Sequence, residues 1–231
     1  MNNFILLLEL TSGICWTAVY IIIIYRAIKD KVVGMPLIAL GLNISWEFIF
    51  SFIYPPPTIQ RYINFTWFIF DVVIIYLKIK YGKEEFKDIF NGLNDKFFLP
   101  TIFITLFFSF GFVYLSVPEW NDYKMGNYSA FIMNALMSLF FITMLLRRRD
   151  LNGQSIYIAV LKLIGTLIPT ILFGLLAPKY GILANKSSNL ILFLGFMCFF
   201  FDSIYTILIA QKYKEAGLSL FTRKPRLIKS K

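Results

Sequence analysis

The sequence predicts an all-α membrane protein: a seven-transmembrane-helix bundle, N-terminus outside, C-terminus cytoplasmic. Three observations carry that prediction. Of the 231 residues, 58% are hydrophobic and 26 are Phe, whereas a soluble domain is nearer half apolar. The apolar residues gather in runs of roughly 20, the length a helix needs to cross the hydrocarbon of a bilayer, without polar interruption at helix or strand period. Finally, the basic residues alternate in number from one interrun segment to the next, as the positive-inside rule requires.

Taken in order, the first run, Phe4–Tyr25, is too long for a signal peptide, and it lacks a basic start and a small-residue cleavage site. Arg26, Lys29 and Lys31 follow it, before the second run, Met35–Tyr54. Arg61 alone separates that from the third, Tyr62–Ile79. Lys78, Lys80, Lys83, Lys87 and Lys96 lead to the fourth, Phe97–Val117, and Lys124 alone to the fifth, Asn127–Leu146. Arg147, Arg148 and Arg149 precede the sixth run, Ser155–Ala177. Lys179 and Lys186 precede the seventh, Asn189–Ala210. The tail adds Lys212, Lys214, Arg223, Lys224, Arg226, Lys229 and Lys231. One side thus holds four basic residues and the other eighteen, with Lys162 left inside a span. A missed helix would scramble this alternation.

One domain is expected, a transmembrane bundle over residues 1–211 with a basic cytoplasmic tail over 212–231. The net charge of +10 then belongs to topology and to headgroup attraction, so membrane lipid is the expected partner and nucleic acid is not. Short loops leave no room for an appended catalytic domain. Cys15 and Cys198 lie within spans without a CxxC pattern and read as small packing residues. With no His in the chain, an imidazole relay and the usual zinc and haem sites are not expected. No aspartate-rich diphosphate–metal motif, GxGxxG or P-loop pattern is present either. A retinal protein would want its Schiff-base lysine in the last span, whereas Lys162 is in the sixth.

The chemistry therefore falls to Glu9, Glu47, Asp71, Lys162 and Asp202, with Asn43 and Asn134, all inside spans. An ionised group in hydrocarbon costs several kcal/mol unless paired, solvated or neutralised. Asn43 and Glu47 are four apart and share a helix face, as do Trp67 and Asp71, and Cys198, Asp202 and Tyr205 form a third stripe. At 1.5 Å per residue Glu47 lies roughly 10 Å, and Asp202 roughly 20 Å, below the outer edge of its span, so the two could line one cavity at different depths. Trp46, beside Glu47, is compatible with a pocket wall. Trp67 is close enough to its span's outer end to be an interfacial anchor. Glu9 could simply reach the outer interface, Asp71 could be a packing partner, and Lys162 reads better as half of a structural ion pair than as a catalyst. A desolvated carboxyl is a good proton donor in an apolar, aromatic cavity, which suits protonating an alkene or epoxide and shielding a carbocation from water. A proton-coupled transporter using the same acids is the main alternative, although no paired repeats or matching Gly/Pro breaks support it. A receptor or structural protein is a third.

At these residues the chain resembles the small transmembrane terpene cyclases of fungal meroterpenoid and indole-diterpene pathways and their bacterial relatives. The matching blocks are GMPLIALGLNISWEF (Gly34–Phe48), WFIFDVVIIYLKIKYG (Trp67–Gly82), NYSAFIMNALMSLFFI (Asn127–Ile142), GQSIYIAVLKLIGT (Gly153–Thr166) and FFFDSIYTIL (Phe199–Leu208). The resemblance implies a terpene cyclase without metal or organic cofactor, acting on a terminal epoxide or alkene of a prenylated aromatic or indole substrate. It implies a proton-handling pair at Glu47 and Asp202, with Asn43, Trp46, Trp67, Asp71 and Tyr205 as candidate substrate contacts. Upstream, it implies a prenyltransferase, with or without an epoxidase. It does not say which acid donates.

Overall fold

The computed structural model describes residues 2–57, 59–89, 95–148, 150–176 and 188–223. Ala177 at the end of the sixth run, Arg149, Lys179 and Lys186, and the tail from Lys224 onward lie outside the described residues. Among those described, the chain is helical and contains no β-strand. Helix α1 spans Asn2–Asp30 and α2 spans Leu37–Phe48, the latter continued by π-helical residues Ile49–Ile53. Next come α3 (Gln60–Tyr81), the short α4 (Lys83–Ile89), α5 (Phe98–Trp120) and α6 (Asn127–Arg148). Helix α7 (Ile156–Pro169) widens into a π-helical stretch, Thr170–Leu176, and α8 runs over Ser188–Glu215.

Among the described residues, six helical segments are long and apolar enough to cross a membrane: α1, α3, α5, α6, α7 with its π extension, and α8. The chain is an integral, multi-pass membrane protein. Its outer surface agrees, since Phe103, Phe107, Phe108, Phe193 and Phe196 are all exposed, an apolar belt that water would not tolerate. The second predicted run differs. It forms a shorter apolar helix, Leu37–Ile53, because Pro36 precedes its first turn and prolines 55–57 follow its last. Proline favours the first position of a helix and cannot extend one that has begun. At about 1.5 Å per residue the segment reaches roughly 25 Å, less than the hydrocarbon thickness of about 30 Å.

The basic residues concentrate at one end of the bundle. Lys29 ends α1, Lys78 and Lys80 end α3, Arg147 and Arg148 end α6, and Lys212 and Lys214 end α8. Cations there also face the negative ends of the helix dipoles. Glu85 on α4 gathers several of them, accepting from Lys78 Nζ at 2.8 Å, from Arg148 Nη2 at 2.7 Å, and from Arg147. Burial opposes its charge, yet Lys78 and Arg148 hold the carboxyl down at about 2. Nearby, the chain leaving α1 crosses the chain entering α7 so closely that a Cβ on Gly34 would lie 1.8 Å from the Gly153 carbonyl oxygen.

The main core sits towards this basic end. It joins Ile23, Ala27 and Val33 to Leu40, Ile74, Leu145, Ile158, Tyr205 and Ile209, all buried. Helix α1 packs chiefly on α7, while α6 and α7 both pack on α8 and touch each other far less. That arrangement leaves α6 and α7 parted in the other half of the bundle, where the interior is hollow.

Candidate functional site

The hollow is a cavity of about 110 Å³, lined mainly by apolar and aromatic side chains with a few polar groups among them, the make-up of small-molecule sites. Its walls come from α1, α2, α3, α6 and α7, and both π-helical stretches lie beside it. Proline has no N–H to continue the hydrogen-bond ladder, and the widened turns at Thr170–Leu176 begin directly after Pro169. Leu172 and Phe173, on that widened stretch, face the cavity, as does Glu47, two residues before the π turn of α2. Wide turns of this kind recur at functional sites.

Glu47 is 1% exposed. Asn43, one turn earlier on α2, donates its amide to Glu47 Oε1 at 2.9 Å and to Asp71 Oδ2 of α3 at 2.8 Å. Tyr20 of α1 donates its hydroxyl to the same Glu47 oxygen and accepts from Asn43. The two carboxyls stand within reach of a direct hydrogen bond. Two acids so close, shielded from water and from any cation, cannot both be ionised cheaply, and sharing a proton relieves the repulsion. Glu47 Oε2 and Asp71 Oδ1 have no donor directed at them.

Aromatic rings frame this cluster. Tyr20 lies 6.1 Å from Trp67 and 6.4 Å from Trp16 between ring centroids. Trp67 donates to Thr17 Oγ1 at 3.0 Å. Trp46 donates to the Gly126 carbonyl at 3.0 Å and approaches Ser129 Oγ at 3.1 Å. Gly126 adopts φ +65°, and a Cβ there would lie 2.5 Å from the Phe50 ring and 2.7 Å from Trp46 Nε1. Asp122 braces the same turn, accepting from the backbone N–H of Ser129 at 2.9 Å and from its hydroxyl at 2.8 Å. Burial raises the Asp122 carboxyl above its ordinary range, and these hydrogen bonds pull it back only in part.

Of the residues singled out in the sequence, Asn43, Trp46, Glu47 and Trp67 line the cavity together. Asp71 is wholly buried behind Glu47 and is not part of the lining. Its short side chain is taken up by Asn43, so it meets the acid and not the open space. Asp202 does not share the cavity with Glu47. It is wholly buried on α8 and holds Lys162 Nζ at 2.7 and 2.9 Å. Ser138 Oγ receives the same ammonium at 2.6 Å. The ion pair expected of Lys162 is thus formed, and it draws Asp202 between α6 and α7. Tyr205 is also away from the lining, bonded to Gln154 Oε1 at 3.0 Å and packed edge-on against Phe141. The expectation that the two acids line one cavity at different depths is therefore not met, because depth along a helix carries no information on azimuth. Glu9 lines the cavity at the mouth.

Sequence reasoning missed Tyr20 and Trp16. Their signal was the spacing Ser12, Trp16, Tyr20, one polar or aromatic residue per turn along a face otherwise apolar.

A family model for Pyr4-like transmembrane terpene cyclases matches residues 2–214. The chain belongs to this family. The Pyr4-family terpene cyclase mfmH of Annulohypoxylon moriforme is 31% identical over 166 residues, 72% of this chain and 68% of that protein. The terpene cyclase pyr4 of Aspergillus fumigatus is 26% identical over 202 residues, 85% of this chain and 81% of its own. The terpene cyclase dpfgB of Gibberella zeae is 27% identical over 195 residues, 83% of this chain and 78% of its own. No solved structure matches. Membership of the Pyr4-like family, with the apolar helices, supports a membrane terpene cyclase.

Proposed function

We propose that this protein is a cofactor-independent, acid-initiated terpene cyclase acting on a lipophilic prenylated substrate that enters from the bilayer. The observation that carries the reading is Glu47. It is a buried carboxyl on the wall of an aromatic cavity, with one oxygen held by Tyr20 and Asn43 and the other without a donor.

In this mechanism Glu47 is the proton donor. On an epoxide, its proton passes to the ring oxygen as a C–O bond breaks, leaving a hydroxyl and a carbocation. On an alkene, the proton forms a new C–H bond at the chain terminus. Each later C–C bond forms from a double bond of the chain and moves the cation along. A final C–H proton returns to the Glu47 carboxylate, so the product is an isomer of the substrate and the acid is regenerated. Asp71 stabilises the proton on the pair, and Asn43 and Tyr20 hold the carboxyl in aim. Trp16, Tyr20, Trp46 and Trp67 supply ring faces that attract the cation and a wall that keeps out water.

Asp202 acts at one remove as a positioning residue. Its carboxylate neutralises Lys162, and that pair fixes α7 and α6 against α8 beneath the cavity. An Asp with both oxygens on an ammonium is a poor proton donor, which favours Glu47 for that role. The seven-crossing topology follows if Leu37–Ile53 also traverses the bilayer, with the N-terminus outside and the cavity towards the outer leaflet. The count of four basic residues on that side against eighteen supports it.

The test is to express the chain in membranes with epoxidised and non-epoxidised prenyl-substituted aromatics and look for cyclised isomers. Glu47→Gln should abolish product while leaving the protein folded. Wild-type turnover in that variant would overturn the mechanism.

A further inference from the structure

Besides Glu47, three residues lining the cavity carry a buried polar atom without a partner in the protein: Asn127, through Nδ2 at the start of α6, and, nearer the Lys162 ion pair, Asn134 and Thr166. Asn134 on α6 donates its amide nitrogen to the Ala130 carbonyl at 3.0 Å. That bond fixes the orientation of the amide, because a carbonyl can only accept. The Asn134 Oδ1 atom is left buried with no donor, and Thr166 Oγ1 on α7 is buried with no partner either. Thr166 is 4% exposed, and both residues line the cavity.

The ion pair below them sets the two at one level on α6 and α7. Lys162 Nζ meets Ser138 Oγ at 2.6 Å. Helices α6 and α7 run in opposite senses, so one turn from Ser138 and one turn from Lys162, towards the cavity, stand Asn134 and Thr166. Trp16 lies over the Lys162 ammonium at 5.8 Å and stands 6.4 Å from Tyr20, whose hydroxyl reaches Glu47. The Trp16 and Tyr20 rings thus line the cavity between the Lys162 ion pair and Glu47. A buried polar atom left unmatched is costly, and native interiors seldom keep one without a purpose.

Chemistry narrows what would match it. Asn134 Oδ1 is an acceptor only, so it needs a donor from the ligand. An anionic head such as a carboxylate or phosphate would be repelled by that oxygen, and the nearest cation, Lys162, is already taken by Asp202. Thr166 can donate or accept, and so adapts to a group that does both. We propose that Asn134 and Thr166 form a head-group subsite that binds a neutral hydrogen-bond donor, a hydroxyl or ring N–H, on the polar end of the substrate. Anchored there, a lipophilic chain running past Trp16 and Tyr20 brings its far terminus to Glu47. The subsite rests on the cyclase reading for the identity of the chain-bearing ligand, but not for its hydrogen-bonding logic.

The experiment compares a farnesyl-substituted phenol with its methyl ether, which keeps the oxygen and loses the donor. Binding to the full chain in nanodiscs is followed by quenching of tryptophan fluorescence, since Trp16, Trp46 and Trp67 all line the cavity. The phenol should bind the wild type about tenfold more tightly than the ether, the effect of one satisfied donor. Asn134→Leu and Thr166→Val, close in size to the originals, should lose that preference while still binding the ether, which also shows that they are folded. Glu47→Gln should keep the preference. Equal affinity of the wild type for both probes, no saturable binding of either, or an undiminished preference in both variants would overturn the subsite. A preference lost as described, in a protein that forms no cyclised product, would leave the subsite standing and defeat the cyclase reading.

Discussion

Replacing Asp202 by Asn should inactivate the protein through its structure, and removing Lys162 as well should restore it. Both side chains are wholly shielded, and Lys162 Nζ spans the two Asp202 oxygens at 2.7 and 2.9 Å. The single change leaves a buried ammonium with neutral acceptors and no counter-charge, which costs about 3–5 kcal/mol. That is a large part of the 5–15 kcal/mol typical of a folded domain, so Asp202→Asn should unfold at markedly lower temperature in detergent. Lys162→Met on its own strands the carboxylate and should cost about as much. The double variant Lys162→Met/Asp202→Leu exchanges the pair for apolar contacts, a substitution that is often neutral or stabilising by about 1–4 kcal/mol. Its melting temperature should return to near wild type, and cyclisation of an accepted substrate should return to within about tenfold. The readouts are thermal unfolding by tryptophan fluorescence and product formation in the same membranes. A double variant that folds normally yet makes no product would refute the reasoning, since Asp202 or Lys162 would then take part in the proton chemistry itself.

Glu47→Gln keeps the shape and the Asn43 contact but has no acidic proton, so product formation should fall by about 10²–10⁴, the usual worth of a placed general acid. Asp71→Asn should lower kcat by less and shift the alkaline limb of the pH–rate profile, where the proton donor is lost, because it alters the partner that shares the Glu47 proton; an unchanged profile would remove Asp71 from the acid pair. Gly126→Ala forces a side chain into φ +65° and onto Phe50 and Trp46, and should cost about 1–3 kcal/mol, seen as a lower melting temperature. At the basic face, Glu85 is held down from 4.5 to about 2, so its folded-state pKa is depressed. Its contribution, about 3 kcal/mol at most by linkage, is present above pH about 4.5 and lost as pH falls towards 2. Glu85→Gln should flatten that part of the stability–pH curve.

How much was legible in the sequence follows from which forces act along the chain and which act between helices. Run length and charge alternation are one-dimensional, so α1, α3, α5, α6 and α8 could be read within a few residues. The second run was read as a full-length span because hydropathy does not register where Pro36 and prolines 55–57 cut a helix short. Asn43 and Glu47 were paired by their spacing, which is a local property of one helix. Whether Asp71 or Asp202 would meet Glu47 depends on how α3 and α8 rotate about their own axes, and no spacing rule supplies that angle. Tyr20 was overlooked because a tyrosine in an apolar run resembles any other membrane aromatic until its hydroxyl is seen to have a partner.

The separation of the two buried acids has a physical logic. A proton donor in hydrocarbon must be able to stay neutral, which requires that no cation stand nearby to hold it ionised. Lys162 is such a cation, and Asp202 binds it with both oxygens on the far side of Trp16 from Glu47. Had Lys162 been left free, its field in a low-dielectric interior would have stabilised the ionised form of the Glu47–Asp71 pair and left it without a proton to donate. In the proposed mechanism, a free ammonium would also repel the carbocation formed in the cavity. In the proposed mechanism, one carboxylate thus neutralises the lysine so that the other pair can keep its proton. In that mechanism the two acids that the family resemblance joined as partners act as opposites, one retained for its charge and one for its lack of it.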